Sequence, residues 1–120
     1  MSERRNNYLK RYEPFERHAQ RYDGWFDSDR GKYVFPVEVE CLKGVLGELR
    51  RPCLEVGVGT GRFAEALGIE YGIDPSPNVL LYAKERGISV VRGFAEDLPY
   101  TDHSFHAIFM IVTVCFLTDP

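Results

Sequence analysis

Apolar residues recur along this chain with a period that changes once, near residue 51. Ahead of that point the spacing is helical. Phe15, Ala19 and Tyr22 fall on one face of a segment that Pro14 can open, and Gly24 with the polar stretch 27–31 breaks it. Val37, Cys41, Val45 and Leu49 then follow at intervals of four, with Leu42 and Leu46 beside them. That spacing predicts an amphipathic helix with these residues as its apolar face, ending near Arg50.

Beyond Arg51 and Pro52 short apolar runs alternate with helical segments. Strands are predicted at 53–56, 69–73, 88–92 and 105–116, and helices at 60–67 and 78–86, followed by Gly68 and Gly87. Residues 95–103 read as a polar loop containing Pro99. Strands that alternate with helices imply an α/β fold, a parallel sheet of about four strands covered by helices. Two parts are expected: N-terminal helices over 1–50 and the alternating unit over 51–120.

Composition narrows the function classes. The chain has 120 residues, 44% apolar and 28% charged, with a net charge of -3 and no acidic or basic block. Such a balance predicts neither nucleic acid nor an anionic membrane as partner. The N-terminal basic residues are interleaved with Glu3, Glu13, Glu16 and Asp23, as on a solvated helix face. No apolar signal core opens the chain, and the longest apolar run, 107–117, is too short to span a bilayer. Cys41, Cys53 and Cys115 form no CxxC pair, so no zinc site or disulfide framework is expected. They read as buried reduced thiols of a cytoplasmic protein.

The sharpest chemical signal is Leu54-Glu55-Val56-Gly57-Val58-Gly59-Thr60-Gly61, three alternating glycines between a strand and a helix. Such a turn lets a ligand approach the backbone closely, at the strand end where open α/β sheets bind ligands. Glu55, just before the turn, can face the cationic amino group of a bound amino acid. A nicotinamide dinucleotide fingerprint needs a third glycine where Arg62 stands, so GxGxG suits a ligand without a pyrophosphate. Asp74 ends the second strand, where a carboxylate can accept hydrogen bonds from both hydroxyls of a ribose. A local role at the turn before Pro75 is the alternative.

These residues resemble the class I S-adenosylmethionine-dependent methyltransferases, in the group that includes the ubiquinone and menaquinone biosynthesis enzymes (methyltransferase type 11). LEVGVGTGRFA resembles the first motif of that family, GIDPSPNVLLYAKERG its second strand and helix, and GFAEDLPYTDHSFHAI its G-D-A-E-x-L-P-F-x-D-x-S-F-D stretch. YDGWF resembles an N-terminal helix that several members fold over the cofactor. The resemblance implies a Rossmann-like sheet, S-adenosyl-L-methionine as cofactor and methyl transfer to a small-molecule acceptor. By it, Gly57, Gly59 and Gly61 line the methionine part, Asp74 holds the ribose, Ala95 offers its backbone amide to adenine, and Glu96 lies near the exocyclic amine. Residues 1–50 become a helical lid or cap, and 51–120 a partial cofactor-binding domain. Two positions depart from the pattern: Phe94 and His106 stand where the family usually has Asp. From the residues alone, Glu96 and Asp97 read equally well as a solvated loop, and His106 as a hydrogen-bonded core residue.

No metal, covalent nucleophile or general base is assigned. Positioning a nucleophile against the activated methyl and excluding water is sufficient chemistry. Tyr22 and Trp25 can present π faces to a sulfonium, and His18 can take a proton. The alternative is that Phe15, Tyr22, Trp25 and Phe26 simply dock the helix. A complete family sheet has seven strands, and four are read here. The expectation is therefore a truncated product or fragment of a longer enzyme, or a chain that pairs the apolar edge of strand four with another copy. A non-catalytic module that binds cofactor or mediates assembly is the rival function.

Overall fold

Cys53–Val56 forms β1, buried along its whole length, as a strand must be when it has neighbours on both edges and cover on both faces. The computed structural model describes residues 13–111. There β1 lies between β2 (Tyr71–Asp74) and β4 (Ala107–Phe109), and β3 (Ser89–Arg92) adds beyond β2. The order is β3-β2-β1-β4, and every pair is parallel. The expected four-stranded α/β sheet is the fold. Glu55 sits opposite Gly72 on one side and Phe109 on the other, which carries its side chain into the middle of the sheet.

The helices are α1 (Ala19–Trp25), α2 (Asp29–Leu46), α3 (Arg62–Leu67) and α4 (Pro77–Glu85). One face of the sheet is covered by α2, α3 and α4, whose Val39, Ala64, Leu67, Leu80 and Ala83 meet Cys53, Ile69 and Ile88. The other face presents Leu54, Val56 and Ile73 to Ala95, Leu98, Tyr100 and Phe105 of the connection that precedes β4. Helices thus cover one side and an irregular segment the other, leaving the carboxyl ends of the strands open for a site.

Three expectations are refined. Gly24 does not end the first helix, which runs on to Trp25. A glycine costs a helix only about 1 kcal/mol, less than the contacts that hold this one down. The expected break falls at residues 26–28, and the far end of the stretch is already the first turn of α2: the Ser28 hydroxyl accepts the Gly31 N–H at 3.1 Å and caps it. The helix stops at Leu46, before Gly47 with its φ of 60°.

The predicted apolar face of α2 holds only in part: Leu42 and Leu49 pack against the core and Leu46 is half-buried, while its other members turn outward. Val37 and Val45 are 53% and 84% exposed, and Cys41 is exposed. Val39 is buried instead, with Phe35 and Leu42 beside it. Both rows are apolar. Packing selects the one containing Phe35, whose ring meets those of Phe63 at 5.0 Å and Phe26 at 5.2 Å. The expectation of buried thiols holds at Cys53 and fails at Cys41. Cys115 lies outside the described residues.

Within the described residues the fourth strand spans only Ala107–Phe109. The predicted run from 112 to 116 lies outside them. His106, expected in the core, is exposed, and its N–H donates to the Pro52 carbonyl at 2.9 Å.

Candidate functional site

After β1 the chain turns through Gly57, Val58, Gly59, Thr60 and Gly61 into α3. The turn is tied to β2. The Gly57 and Val58 N–H groups both donate to the Ile73 carbonyl, at 2.8 and 3.1 Å. The Gly59 N–H donates to Asp74 Oδ2 at 3.0 Å, and the Ser76 N–H to Asp74 Oδ1 at 3.0 Å. Asp74 therefore does perform the local turn role. Each carboxylate oxygen has a further lone pair, and the side chain also faces the cavity described next. Burial pushes its carboxyl above the usual range, against the opposing effect of the two N–H donors.

Gly59, with φ of 56°, lies beneath the Tyr22 ring: a Cβ there would be 3.6 Å from Tyr22 Cε1. Gly61, with φ of 84°, has a different reason. A Cβ at that position would come within 2.9 Å of Ala83 Cα, so Gly61 serves close packing of the turn against α4. Of the three glycines, the cavity described next is lined by Gly57 and Gly59.

A cavity of about 340 Å³ opens at the carboxyl ends of β1 and β2, within the size range of small-molecule sites. Eight residues singled out in the sequence converge on it: Tyr22, Trp25, Glu55, Gly57, Gly59, Asp74, Ala95 and Glu96. Sequence reasoning missed Glu38 and Ile111 in its wall, and took Phe94 only as a departure from a motif. Nothing marks Glu38, one of two glutamates flanking Val39. His18, the proton-acceptor candidate, is exposed and not among the lining residues.

Glu55 is the most unusual group in the wall. It is 2% exposed, and its Oε1 finds no hydrogen-bond partner among the described residues. Burial, and then the neighbouring Asp74 charge, push its carboxyl well above the usual range. A buried polar atom without a partner costs about 1–3 kcal/mol. A carboxyl kept at that cost beside a cavity suits a ligand that brings a donor.

The N-terminal helix contributes to one wall of the cavity. Phe26 docks it, 7% exposed, with edge-on contacts to Tyr22 at 5.6 Å and Trp25 at 5.3 Å. Tyr22 and Trp25 retain 36% and 43% exposure and line the cavity. These aromatic residues pack on one another and also line the cavity. Burial, followed by the Glu55 and Asp74 charges, holds the Tyr22 phenol at a pKa of about 12, so it stays protonated at physiological pH. Among the described residues no group of His, Cys, Asp and Glu could hold a metal ion, and no helix is long and apolar enough to cross a membrane.

Comparison with known proteins agrees with this geometry. Residues 54–120 match the methyltransferase domain family. A crystal structure from Thermotoga maritima, described as a SAM-dependent methyltransferase and possible histamine N-methyltransferase, superposes with a TM-score of 0.82 at 40% identity, over 92% of this chain and 51% of that one. An uncharacterized protein of Methanocaldococcus jannaschii is 41% identical over 83% of this chain and 46% of its own. The demethylmenaquinone methyltransferase of Chlorobaculum parvum is 37% identical over 55% of this chain and 30% of its own. The chain spans about half the length of these relatives or less. The family match takes in more than half of the residues and the superposition nearly all of them, so the chain belongs to the methyltransferase domain family, the class I S-adenosylmethionine-dependent methyltransferases.

Proposed function

We propose that this chain is the cofactor-binding part of a cytoplasmic enzyme that methylates a small molecule, and that the cavity holds S-adenosyl-L-methionine. The observation that carries the reading is Glu55 Oε1, buried, unpartnered and beside the glycine turn. The residues fit that cofactor. Glu55 would accept from its amino group, and the Gly57–Gly59 backbone allows close approach of its methionine part. Asp74, already oriented by two N–H groups, would accept the ribose hydroxyls. Ala95 and Glu96 would meet the adenine. When bound, the cofactor supplies an electrophilic methyl on a sulfonium. Tyr22 and Trp25 exclude water above it and present π faces to positive charge.

The acceptor brings an amine, hydroxyl or activated-carbon nucleophile. Its positioning falls to Trp25, Glu38 and Ile111 in the cavity wall and to parts of the longer relatives that this chain does not span. The helical segment ahead of β1 serves as a cap, with α1 as its lid. Calorimetry with S-adenosylmethionine tests the cofactor reading, and transfer of a labelled methyl into a metabolite mixture tests the reaction. Heat of binding with no transfer would favour the second reading, a binding or assembly module. Self-association through β4, an edge of the sheet among the described residues, would be opposed by sedimentation as a monomer across concentration.

A further inference from the structure

The α1 wall of the cavity, its roof, is held at both ends by polar contacts. At the carboxyl end of α1, Asp23 is only 8% exposed yet binds two arginines from the body of the fold. Arg62 Nε meets Asp23 Oδ1 at 3.0 Å and Arg62 Nη2 meets Oδ2 at 3.2 Å, while a third bond runs to the Asp23 carbonyl at 3.0 Å. Arg86 Nη2 meets Asp23 Oδ2 at 3.1 Å, and its Nη1 donates to the Thr60 carbonyl at 2.9 Å. Asp27 takes the outer side of Arg62 at 3.0 Å. At the other end, Glu16 accepts from the Ser76 hydroxyl and from the Asn78 N–H at 3.1 Å, and its carbonyl accepts Asn78 Nδ2 at 2.8 Å.

Among the described residues, the buried hydrophobic side chains of α1 and its C-cap are Ala19 and Phe26. Between the latched ends the Tyr22 ring rests over Gly59, where a Cβ would lie 3.6 Å from Tyr22 Cε1. The cavity has the roof on one side and the glycine turn on the other, so movement of the roof changes access to a ligand at the turn.

We propose that Arg62 is a positioning residue for the cofactor: its fork on Asp23 and Asp27, backed by Arg86, locks α1 over the cavity, and release of this latch admits and frees the ligand. Arg62 stands where a dinucleotide fold has its third glycine, and its charge is spent on the roof instead of on a phosphate. Desolvation works against ionisation of both Asp23 and Arg62, and the mutual hydrogen bonds and charges outweigh it, keeping both groups charged. The Phe26 ring, 5.5 Å from the guanidinium, couples the latch to the aromatic roof. That the ligand is S-adenosylmethionine rests on the function proposed above. The latch itself is testable without any ligand.

Trp25 is the sole tryptophan of the chain and rides on the roof. In the ligand-free protein, Arg62→Gln should raise acrylamide quenching of its emission and speed amide exchange over residues 19–26 by about tenfold, with β1 amides unchanged. Arg62→Lys, which keeps charge but loses the fork, should fall between. With cofactor, stopped-flow dissociation from Arg62→Gln should be at least about tenfold faster than from the native chain. Native-like exchange and quenching in Arg62→Gln would overturn the latch. Should that variant fail to fold, Asp27→Asn, at the exposed partner, carries the test. A rise of about threefold in exchange supports the latch, and no rise overturns it. A native chain that binds no cofactor, while its roof still loosens in Arg62→Gln, would strike the cofactor reading and leave the latch standing.

Discussion

Asp74 Oδ2 accepts the Gly59 N–H at 3.0 Å, so the acid at the end of β2 braces the glycine turn at the end of β1. The two strongest sequence signals are one hydrogen-bonded unit. Asp74→Ala removes both the brace and the proposed ribose acceptor. Cofactor affinity should fall by at least about 1.5 kcal/mol, roughly tenfold or more in Kd. Calorimetric titration giving the native Kd would remove Asp74 from the site.

Glu55 should make stability fall as pH rises. Its native carboxyl is held well above the ordinary value of 4.5. Below that value both folded and unfolded chains carry the proton, and its contribution is fully present. Between the ordinary and the raised value only the folded chain keeps the proton, so stability declines with pH until the native group ionises. Asp74, also raised by burial, acts in the same direction. Glu55→Gln should therefore flatten the profile and gain about 1–2 kcal/mol at neutral pH in the ligand-free protein, while weakening cofactor binding. Urea melts from acid to neutral pH decide this, and identical slopes in the two proteins would refute it.

Gly61→Ala should damage folding and not the cavity directly. The added methyl would sit 2.9 Å from Ala83 Cα, at a φ of 84°. Strain and overpacking together should cost at least about 2 kcal/mol. A thermal melt unchanged from the native would show that the turn and α4 are not in close contact.

The two apolar rows of α2 offer a paired test. Val39→Ala opens space against the core and should cost about 2 kcal/mol. Val45→Ala, at a position 84% exposed, should change stability by no more than about 0.5 kcal/mol. Equal costs in chemical denaturation would mean that the helix is rotated from the position seen here.

Strand identity and order of the β/α units were legible because strand and helix periods differ and glycines punctuate them. β1 to β3, both crossover helices and the glycine turn follow from residues 53–92 read as a line. Local sequence also placed Glu55, Gly59 and Asp74 near one another, since a parallel βαβ unit brings successive strand ends to the same edge. Only the folded chain could choose between Val37 and Val39 as the buried row of α2, because both rows are apolar and the choice rests on distant partners, Phe63 and Phe26. The same holds for Gly61, whose neighbour Ala83 is twenty-two positions away, and for Arg62, whose partner Asp23 precedes it by thirty-nine. Local pattern determines what each segment is. Contacts between segments far apart in the chain decide which face is buried, which carboxylate is left unpaired and which helix becomes the roof.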